Sequence, residues 1–388
     1  MEVKKLKECC TIIAGQSPES KYYNSNGDGL PFFQGKADFG ELYPSIRVYC
    51  SQPTKIAEKD DILLSVRAPV GPTNLAPCKV CIGRGLTAIR PSEVLLTRYV
   101  LLFFRYFEAQ LASKGTGTTF KAITQDVIKN LEIPIPPLPE QERIVARIEE
   151  LFSQLDAGVE TLKKTKAQLA VYRQAVLKEA FDSIEDQYYQ TLNTAILGSP
   201  QNGLYKPKSD YSDNGTPILR IDGFYDGFIV KDYYYKRVNL TVDEITRYSL
   251  EIGDLIVNRV NSMPYLGKCA LVRFLGETTV FESNMMRIKL DNEKVNGDFL
   301  TYYLSSSTGR KELTKSAKQA VNQASINQTD VGNAIVPMPP VEIQKRLLTY
   351  IESRLSVCDS IEQTVDTALQ QAEAMRQSIL KEAFEGTL

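Results

Sequence analysis

The stretch "IPIPPLPEQERIVARIEELF" at residues 133–152 returns, with the same spacing, as "VPMPPVEIQKRLLTYIESRL" at residues 336–355. The match continues without a gap. Residues 133–181 are identical to residues 336–384 at 18 of 49 positions, and both segments finish on "LKEAF". Self-similarity at a fixed offset is the signature of a duplicated unit. The sequence therefore predicts a tandem repeat, in which a variable part precedes each copy of one conserved segment.

A proline-rich connector opens each conserved segment and predicts where its helix begins. Proline fixes φ and disfavours the helical conformation in the residue before it, so "IPIPP" and "VPMPP" are predicted to be extended. Glu140, Gln141 and Glu142 then place acidic and polar groups in the first helical turn, where the helix dipole favours negative charge. Each connector is expected to set the direction in which a long helix leaves a globular part.

The conserved segments carry apolar residues at every seventh position, which is typical of a coiled coil. The main seam consists of Ile148, Leu155, Leu162, Leu169 and Val176, and of Ile351, Cys358, Val365, Ala372 and Ile379. The companion row consists of Ile144, Leu151, Gly158, Thr165 and Tyr172, and of Leu347, Arg354, Ile361, Ala368 and Met375. The pattern predicts that the two helices pair with each other in an antiparallel coiled coil, with two separate outside partners as the alternative. Some 40 residues at 1.5 Å each would form a rod of about 60 Å, with a globular part at each end.

The two variable parts contain short apolar runs between glycines and prolines, which predict many short strands. Predicted strands lie in residues 60–66, 85–91, 253–260, 278–283 and 285–290, and predicted helices in residues 98–112 and 298–315. The fold class is therefore α+β, with two strand-rich globular domains, two long helices and a pseudo-twofold internal repeat. The predicted segments are residues 1–132, 133–181, 182–335 and 336–388.

Composition excludes several classes of protein. The chain has no histidine, which removes Ser-His-Asp and Cys-His nucleophile systems. Neither a phosphate-binding loop nor a dinucleotide-binding glycine motif occurs. Seven irregularly spaced cysteines indicate the reducing cytoplasm, and no apolar run is long enough to span a bilayer. Cys78 and Cys81 have zinc-ligand spacing, but without a second such pair they are predicted to be reduced structural thiols.

A DNA-binding function must rest on local patches, because the net charge of the chain is −1. Binding needs cations for phosphates and Asn, Gln, Arg or Lys at base edges. Two loops at equivalent places, residues 113–125 and 314–328, offer such side chains, as do Arg67 and Arg259 at equivalent strand exits, and "YYYKR" at residues 233–237. The candidates are Arg67, Asn74, Lys114, Thr116, Thr118, Lys121, Tyr234, Lys236, Arg259, Asn261, Lys315, Lys318, Asn322 and Gln323. The alternative is that the loops are solvated connections and that "YYYKR" is a strand with alternating faces.

The duplicated signature resembles the conserved regions of the specificity subunit of type I restriction-modification systems. The resemblance covers essentially the whole chain, although the second copy has Glu342 where the first has Pro139. It implies that residues 1–132 and 182–335 are target-recognition domains. Each would read one half of a bipartite, asymmetric site in double-stranded DNA.

The resemblance also implies partners. The coiled coil would set the spacing between half-sites and dock two modification (methyltransferase) subunits, which carry out DNA methylation, and restriction (translocase/endonuclease) subunits would join them. It makes Gln141, Arg143, Gln344 and Arg346 candidates for partner docking. The subunit would be cytoplasmic and non-catalytic, without a metal, a cofactor or a membrane.

Two other classes of function remain open from the sequence. A coiled-coil scaffold could join protein partners without reading DNA. A metal-dependent nuclease could use Asp60 and Asp61, or Glu2 and Lys4 of a weak E-x-K motif. The repeat disfavours a nuclease, because it preserves the helices while the globular parts diverge.

Overall fold

A computed structural model describes residues 2–115, 122–225, 227–230 and 232–386. The chain divides into two compact units, residues 1–163 with 366–388 and residues 164–365, called the first and second unit below. Each unit holds one strand-rich part and a portion of each long helix. Because the units cut both helices, the four predicted sequence segments stay a prediction. Within the described ranges, no helix combines the length and the apolar character needed to cross a bilayer.

The first unit is built on a four-stranded antiparallel sheet and a five-stranded mixed sheet, ordered β2-β10-β7-β8 and β3-β5-β4-β9-β6. Its strands are β1 Glu2–Lys5, β2 Cys10–Ala14, β3 Tyr23–Asn24, β4 Leu30–Phe33, β5 Tyr49–Cys50, β6 Ile56–Ala57, β7 Ile62–Ser65, β8 Thr73–Leu75, β9 Val80–Ile82, β10 Leu86–Pro91 and β11 Glu132–Ile135. Its helices are α1 Leu6–Cys9, α2 Thr97–Ser113, α3 Gln125–Lys129 and the start of α4 Leu138–Asp182.

Strand β7 explains the continuous apolar run that the sequence shows before Arg67. Ile62 and Leu64 belong to the core that contains α2, whereas Leu63 belongs to a separate core on the other face of the sheet. A strand covered on both faces needs apolar side chains in both directions. The predicted strand and the predicted helix at residues 98–112 are both confirmed.

The second unit repeats this framework. Its sheet order β13-β22-β18-β20 corresponds to β2-β10-β7-β8, and the pair β12-β25 corresponds to β1-β11. Its strands are β12 Tyr189–Thr191, β13 Gln201–Asn202, β14 Tyr211–Leu219, β15 Phe224–Tyr225, β16 Phe228–Ile229, β17 Lys236–Val238, β18 Leu255–Asn258, β19 Val260–Asn261, β20 Cys269–Leu271, β21 Val280–Phe281, β22 Met285–Ile288, β23 Lys318–Gln319, β24 Ala324–Ser325 and β25 Ile335–Pro337. Its helices are α5 Val242–Tyr248, α6 Gly297–Ser305, α7 Ser307–Thr314, α8 Gln328–Gly332 and the start of α9 Val341–Glu385.

The helix predicted at residues 298–315 is wrong in one respect, because it is two helices. Ser306 has extended backbone angles between α6 and α7, and its hydroxyl accepts a hydrogen bond from the Gly309 N–H at 3.1 Å. A serine in this position caps the following helix and ends the preceding one. The proline connectors are extended as predicted, and they form β11 and β25 immediately before the long helices.

The long helices run antiparallel within each unit. In the first unit Arg376 pairs with Asp156, while Ala383, further along α9, lies in the same core as Ile144, near the start of α4. In the second unit Arg173 contacts Asp359 and Glu362 at 2.7 and 2.9 Å. All ten residues of the predicted main seam are buried or half-buried. The coiled-coil prediction is confirmed for that seam.

The companion row of the seam is shifted by one residue from the predicted row. The predicted row leaves Gly158, Tyr172, Arg354, Ile361 and Met375 exposed. The buried or half-buried row is Val145, Phe152, Val159, Lys166, Arg173 and Ala180, with Leu348, Leu355, Glu362, Leu369, Arg376 and Ala383. Charged residues occupy this row where the helices meet, so a search for apolar spacing passes over it. Such a residue can still cover apolar surface, as the Arg376 guanidinium does over the Phe152 ring, 5.1 Å from its centroid.

Each copy of the repeated signature has one buried glutamine, Gln141 or Gln344, whose hydrogen bonds fix a long helix to its globular part. These bonds are called the glutamine clamp below. Gln141 is fully buried; its side-chain oxygen accepts from the Leu96 N–H at 2.9 Å, and its amide donates to the carbonyls of Val94 and Pro136 at 2.8 Å. These bonds hold the connector, the start of α4 and the loop before α2 together.

Gln344 repeats the same three bonds in the second unit, to the Asn296 N–H and to the carbonyls of Lys294 and Pro339. Partner docking is therefore the wrong role for Gln141 and Gln344, because neither amide reaches the surface.

Replacing Gln141 with alanine should destabilise the first unit strongly. The change removes the partner of the Leu96 N–H and of the carbonyls of Val94 and Pro136, the last of them buried, and we expect it to lower the free energy of unfolding by about 3 kcal/mol. Chemical denaturation followed by circular dichroism measures the change. Arg143→Ala is the matched control, because Arg143 is exposed in the same helical turn and its guanidinium bonds to the side chain of Glu140; its unfolding midpoint should match that of the wild type. Equal stability of both variants would contradict the stabilising role of Gln141.

Candidate nucleic-acid interface

A short exposed hairpin in the second unit carries several polar side chains. Strands β23 and β24 pair Lys318 with Ser325 and Gln319 with Ala324. The Ala320 N–H donates to the Gln323 carbonyl at 2.7 Å, which leaves Val321 and Asn322 at the tip. Residues 318–323 are all exposed. The predicted contacts Lys318, Asn322 and Gln323 therefore lie together on one narrow ribbon, called the β23–β24 hairpin below.

The base of this hairpin is fixed to the core. Strand β24 also pairs with β19, and the Ile326 N–H donates to the Arg259 carbonyl at 3.0 Å. Ala324 and Ile326 are buried. A two-stranded ribbon is one of the elements that the major groove of DNA admits, since the groove is about 12 Å wide. The hairpin thus combines a base fixed to the core with an exposed end whose side chains are mostly polar.

Two predicted residues lie beside the hairpin with partners of their own. Lys315, at the end of α7, forms an ion pair with Glu312 at 2.8 Å. Asn261 is half-buried in β19 opposite Ala324, and its side-chain oxygen accepts from the Ser262 N–H at 2.8 Å. Both are near the hairpin base, where Lys315 would have to leave Glu312 in order to bind a phosphate.

The predicted equivalence of Arg67 and Arg259 is wrong by one residue. The Ile326 N–H bonds to the carbonyl of Arg259, whereas the matching bond in the first unit runs from Ile123 to Val66. Arg259 therefore occupies the position of Val66, and successive residues of a strand face opposite sides. Arg259 is half-buried and donates to the Ser283 carbonyl at 3.1 Å, whereas Arg67 is exposed. The same offset is visible in the sequence, because aligning "KDDILLSV" at residues 59–66 with "IGDLIVNR" at residues 252–259 pairs Val66 with Arg259.

Asn74 is removed from the candidate interface by its surroundings. Its side chain is buried, with its oxygen accepting from the Gly40 N–H and its amide donating to the Gly40 carbonyl, both at 3.0 Å. These bonds fix a surface loop to β8. A strand position facing inward cannot present its amide to a base edge, and the sequence alone did not distinguish the two faces.

In the first unit, the equivalent loop is described only at its two ends. Thr116, Thr118 and Lys121 lie outside the described residues. Lys114 is exposed at the end of α2, and Arg67 is exposed where its backbone bridges to Ala122. Both cations therefore flank the loop that the sequence singled out.

Sequence reasoning missed Arg84, which is exposed between two buried glycines. A Cβ at Gly85 would lie 2.2 Å from the Gln34 carbonyl oxygen, so the turn requires glycine there. The Val66 N–H bonds to the Gly85 carbonyl at 3.0 Å, which brings this turn beside Arg67. Within the described ranges, neither arginine has a carboxylate partner. The "GRG" pattern is the signal that could have identified Arg84.

The "YYYKR" segment has alternating faces. Tyr233 and Tyr235 pack against the core, and the Tyr233 hydroxyl donates to Asp222 at 2.8 Å. Burial raises the pKa of Tyr233 well above its usual range. Tyr234 and Lys236 point outward and are exposed. The alternative, a strand with alternating faces, is correct for the alternating faces but not for the strand, since β17 includes only Lys236 and Arg237 of this segment, and DNA contact by Tyr234 and Lys236 stays a prediction.

Asp61, one of the acidic residues considered for a nuclease, has a structural role. Asp61 is buried, accepts from the Glu58 N–H and forms a two-pronged ion pair with Arg90 at 2.8 and 2.7 Å. Asp254 accepts from the Glu251 N–H in the same way in the second unit, and burial raises the pKa of its carboxyl.

Glu2 of the E-x-K motif and the two cysteines of the C-x-x-C spacing also have contacts within the fold. Lys4 forms an ion pair with Glu2 at 3.1 Å on β1. Burial raises the pKa of the Cys81 thiol, and Cys78 packs at the edge of a small core. Within the described part of the chain, no group of three or more Cys, Asp or Glu side chains has an arrangement that would hold a metal ion.

The fold and the duplicated framework agree with a known family. Residues 1–170 and 196–371 match the family model described as type I restriction modification DNA specificity domain. The chain belongs to this family.

Individual relatives cover different shares of the chain. The putative type I restriction enzyme MjaX specificity subunit of Methanocaldococcus jannaschii is 40% identical over 167 residues, 43% of this chain and 38% of that protein. The type I restriction enzyme EcoKI specificity subunit of Escherichia coli K12 is 27% identical over 80% of this chain and 70% of its own length. The chain thus spans well under half of the first relative's length and about two thirds of the second's.

A solved structure shares the whole fold. It is described as the structural basis underlying complex assembly and conformational transition of the type I R-M system, and one of its chains matches with a TM-score of 0.73. The match covers 100% of this chain and 98% of that chain at 20% identity. At this identity the likeness establishes the architecture, which is the predicted α+β fold with two long helices.

Proposed function

We propose that this chain is the DNA-sequence-reading subunit of a type I restriction-modification complex and has no catalytic activity of its own. Membership of the specificity family supports the proposal. The observation that carries it is the contrast between a repeated framework and unlike polar segments. Both units keep the glutamine clamp and the four-stranded sheet order, whereas residues 113–125 and 314–328, the equivalent polar segments, differ in sequence.

The two globular parts, predicted as residues 1–132 and 182–335, read different half-sites of double-stranded DNA. The second offers an amide-rich hairpin with Asn322 and Gln323, and asparagine and glutamine match the edge of adenine. The first offers Arg67 and Arg84 beside each other, and arginine matches the edge of guanine. Unlike readers recognise unlike sequences, so the site is bipartite and asymmetric.

The long helices set the length of the unread gap between the half-sites. Each has 45 residues, which corresponds to about 68 Å of helix. The buried main seam and the ion pairs of Arg173 and Arg376 give each unit a stiff pair of helices. A stiff element of fixed length restricts the distance between any two groups attached to it.

The same helices dock two modification (methyltransferase) subunits, to which restriction (translocase/endonuclease) subunits are added. Arg143 and Arg346 are exposed in the first helical turns and stay candidates for this contact. In the second unit, large apolar side chains are exposed on both helices, with Val171 at 71% and Val357 at 57%. Apolar side chains on a helix surface suit a protein partner better than DNA. The partners supply the methyl-transfer and ATP-dependent chemistry in the cytoplasm, and this chain binds no cofactor.

Co-expression with the modification subunits, followed by genome-wide mapping of methylated bases, tests the proposal. The expected result is one methylated motif with two different half-sites separated by a fixed unread gap. A gel-shift assay with the same complex tests the scaffold alternative, which predicts that any DNA binding has no sequence preference. Incubation of the purified chain with DNA and Mg²⁺ tests the nuclease alternative, which predicts that the DNA is cleaved. A single continuous or palindromic motif would overturn the two-reader proposal.

A further inference from the structure

An exposed valine sits where the tip of the β23–β24 hairpin would ordinarily be polar. Val321 is 99% exposed, the highest value among the exposed large apolar residues of the described chain. Tight hairpin turns favour Gly, Asn and Asp, because these residues tolerate turn geometry, whereas β-branched residues suit strands. The turn therefore holds an apolar side chain in water without a conformational reason for it.

The neighbours of Val321 restrict what it could contact. Lys318, Gln319, Asn322 and Gln323 are all exposed around it. Protein interfaces bury clusters of large apolar side chains and are depleted in lysine at their centre. One methyl-bearing side chain among three amides and a cation instead matches a base-pair edge, where polar groups dominate and one base carries a single methyl group.

We propose that Val321 contacts the 5-methyl group of a thymine in the major groove, so that the second unit's half-site contains a T·A pair beneath the hairpin tip. The inference rests on the proposed DNA-reading function and names a specificity-determining residue for it. Thymine is the base whose major-groove edge offers an apolar group. Asn322, the next residue, supplies the amide that would bind the adenine of the same or the adjacent pair.

Deoxyuridine tests the contact directly, because it keeps the base pairing of thymine and lacks only the methyl group. Each thymine of the mapped second half-site is replaced singly by deoxyuridine in a duplex probe, and binding by the complete complex is measured in a gel-shift titration. We expect one position at which the wild-type complex binds about fourfold more weakly, the value of one buried methyl group. The Val321→Ala complex should bind the thymine and deoxyuridine probes equally at that position.

Val242→Ala is the matched control, since Val242 is 78% exposed on α5 of the same unit. This variant should keep the full response to the missing methyl group. Three results would overturn the inference: a second half-site without thymine, no response to any deoxyuridine, or a response that Val321→Ala leaves unchanged. In all three the complex still binds its bipartite site. Loss of the proposed function is a different result, in which no sequence preference is found for either half-site.

Discussion

Removing one heptad from both long helices should shorten the preferred gap between half-sites by about three base pairs. Seven helical residues rise about 10 Å, and base pairs are 3.4 Å apart along the duplex. Each half-site should keep its sequence, because the globular parts are not altered. Methylated-motif mapping of the variant complex measures gap length and half-site sequence together. The effect is large, since the wild-type gap should become a poor site.

The first unit indicates where the two deletions belong. Asp156 pairs with Arg376, and the two helices are antiparallel. Residues 157–163 of α4, which follow Asp156, therefore match residues 369–375 of α9, which precede Arg376. Removing both keeps the ion pair and moves the main seam by one whole repeat in each helix. Apolar residues then still meet apolar residues.

Deleting only residues 157–163 is the control, because it removes the same length from one helix and breaks the match to the other. That variant should lose stability and binding without acquiring a new gap. If the double deletion binds well and methylates sites with the original gap, the helices do not set the spacing.

The framework of this fold could be predicted because its signals are periodic and repeated. The gapless match between residues 133–181 and 336–384 indicated the duplication, and heptad spacing indicated the main seam. The prediction of the companion row was wrong because Arg173 and Arg376 occupy that row, and a search for apolar residues at heptad spacing does not detect charged residues. The glutamines were misjudged for a related reason. A repeated polar residue suggests a surface role, but Gln141 is buried and bonded to three backbone groups.

The interface was less predictable than the framework, because it depends on which face of a strand a residue occupies. Asn74 and Asn261 are both polar residues near strand ends, yet one is buried against Gly40 and the other lies beside the hairpin. A shift of one residue reverses the face, and that shift separates Arg67 from Arg259. The exposure of Asn322 and Gln323 was easier to predict, since they lie in a largely polar stretch, and their contact with DNA stays a prediction.

Replacing Asn322 and Gln323 with alanine should abolish sequence preference at the second half-site and leave the first half-site unchanged. Each well-placed amide–base contact provides about 1–3 kcal/mol of discrimination, so removing each amide should reduce discrimination about fivefold to 150-fold. Competition binding with duplexes mutated in one half-site at a time measures the reduction. The fold should be unaffected, because both side chains are exposed.

Lys318→Ala is the informative comparison, since Lys318 lies on the same hairpin and carries the charge. Replacing a lysine that binds a phosphate should weaken binding to all sequences alike. It should also reduce the slope of log binding constant against log salt concentration by about one. The two kinds of variant therefore separate base reading from phosphate binding on one hairpin. Full sequence preference in the Asn322→Ala and Gln323→Ala double variant would move the second reading surface away from the hairpin, with Tyr234 and Lys236 as the next segment to test.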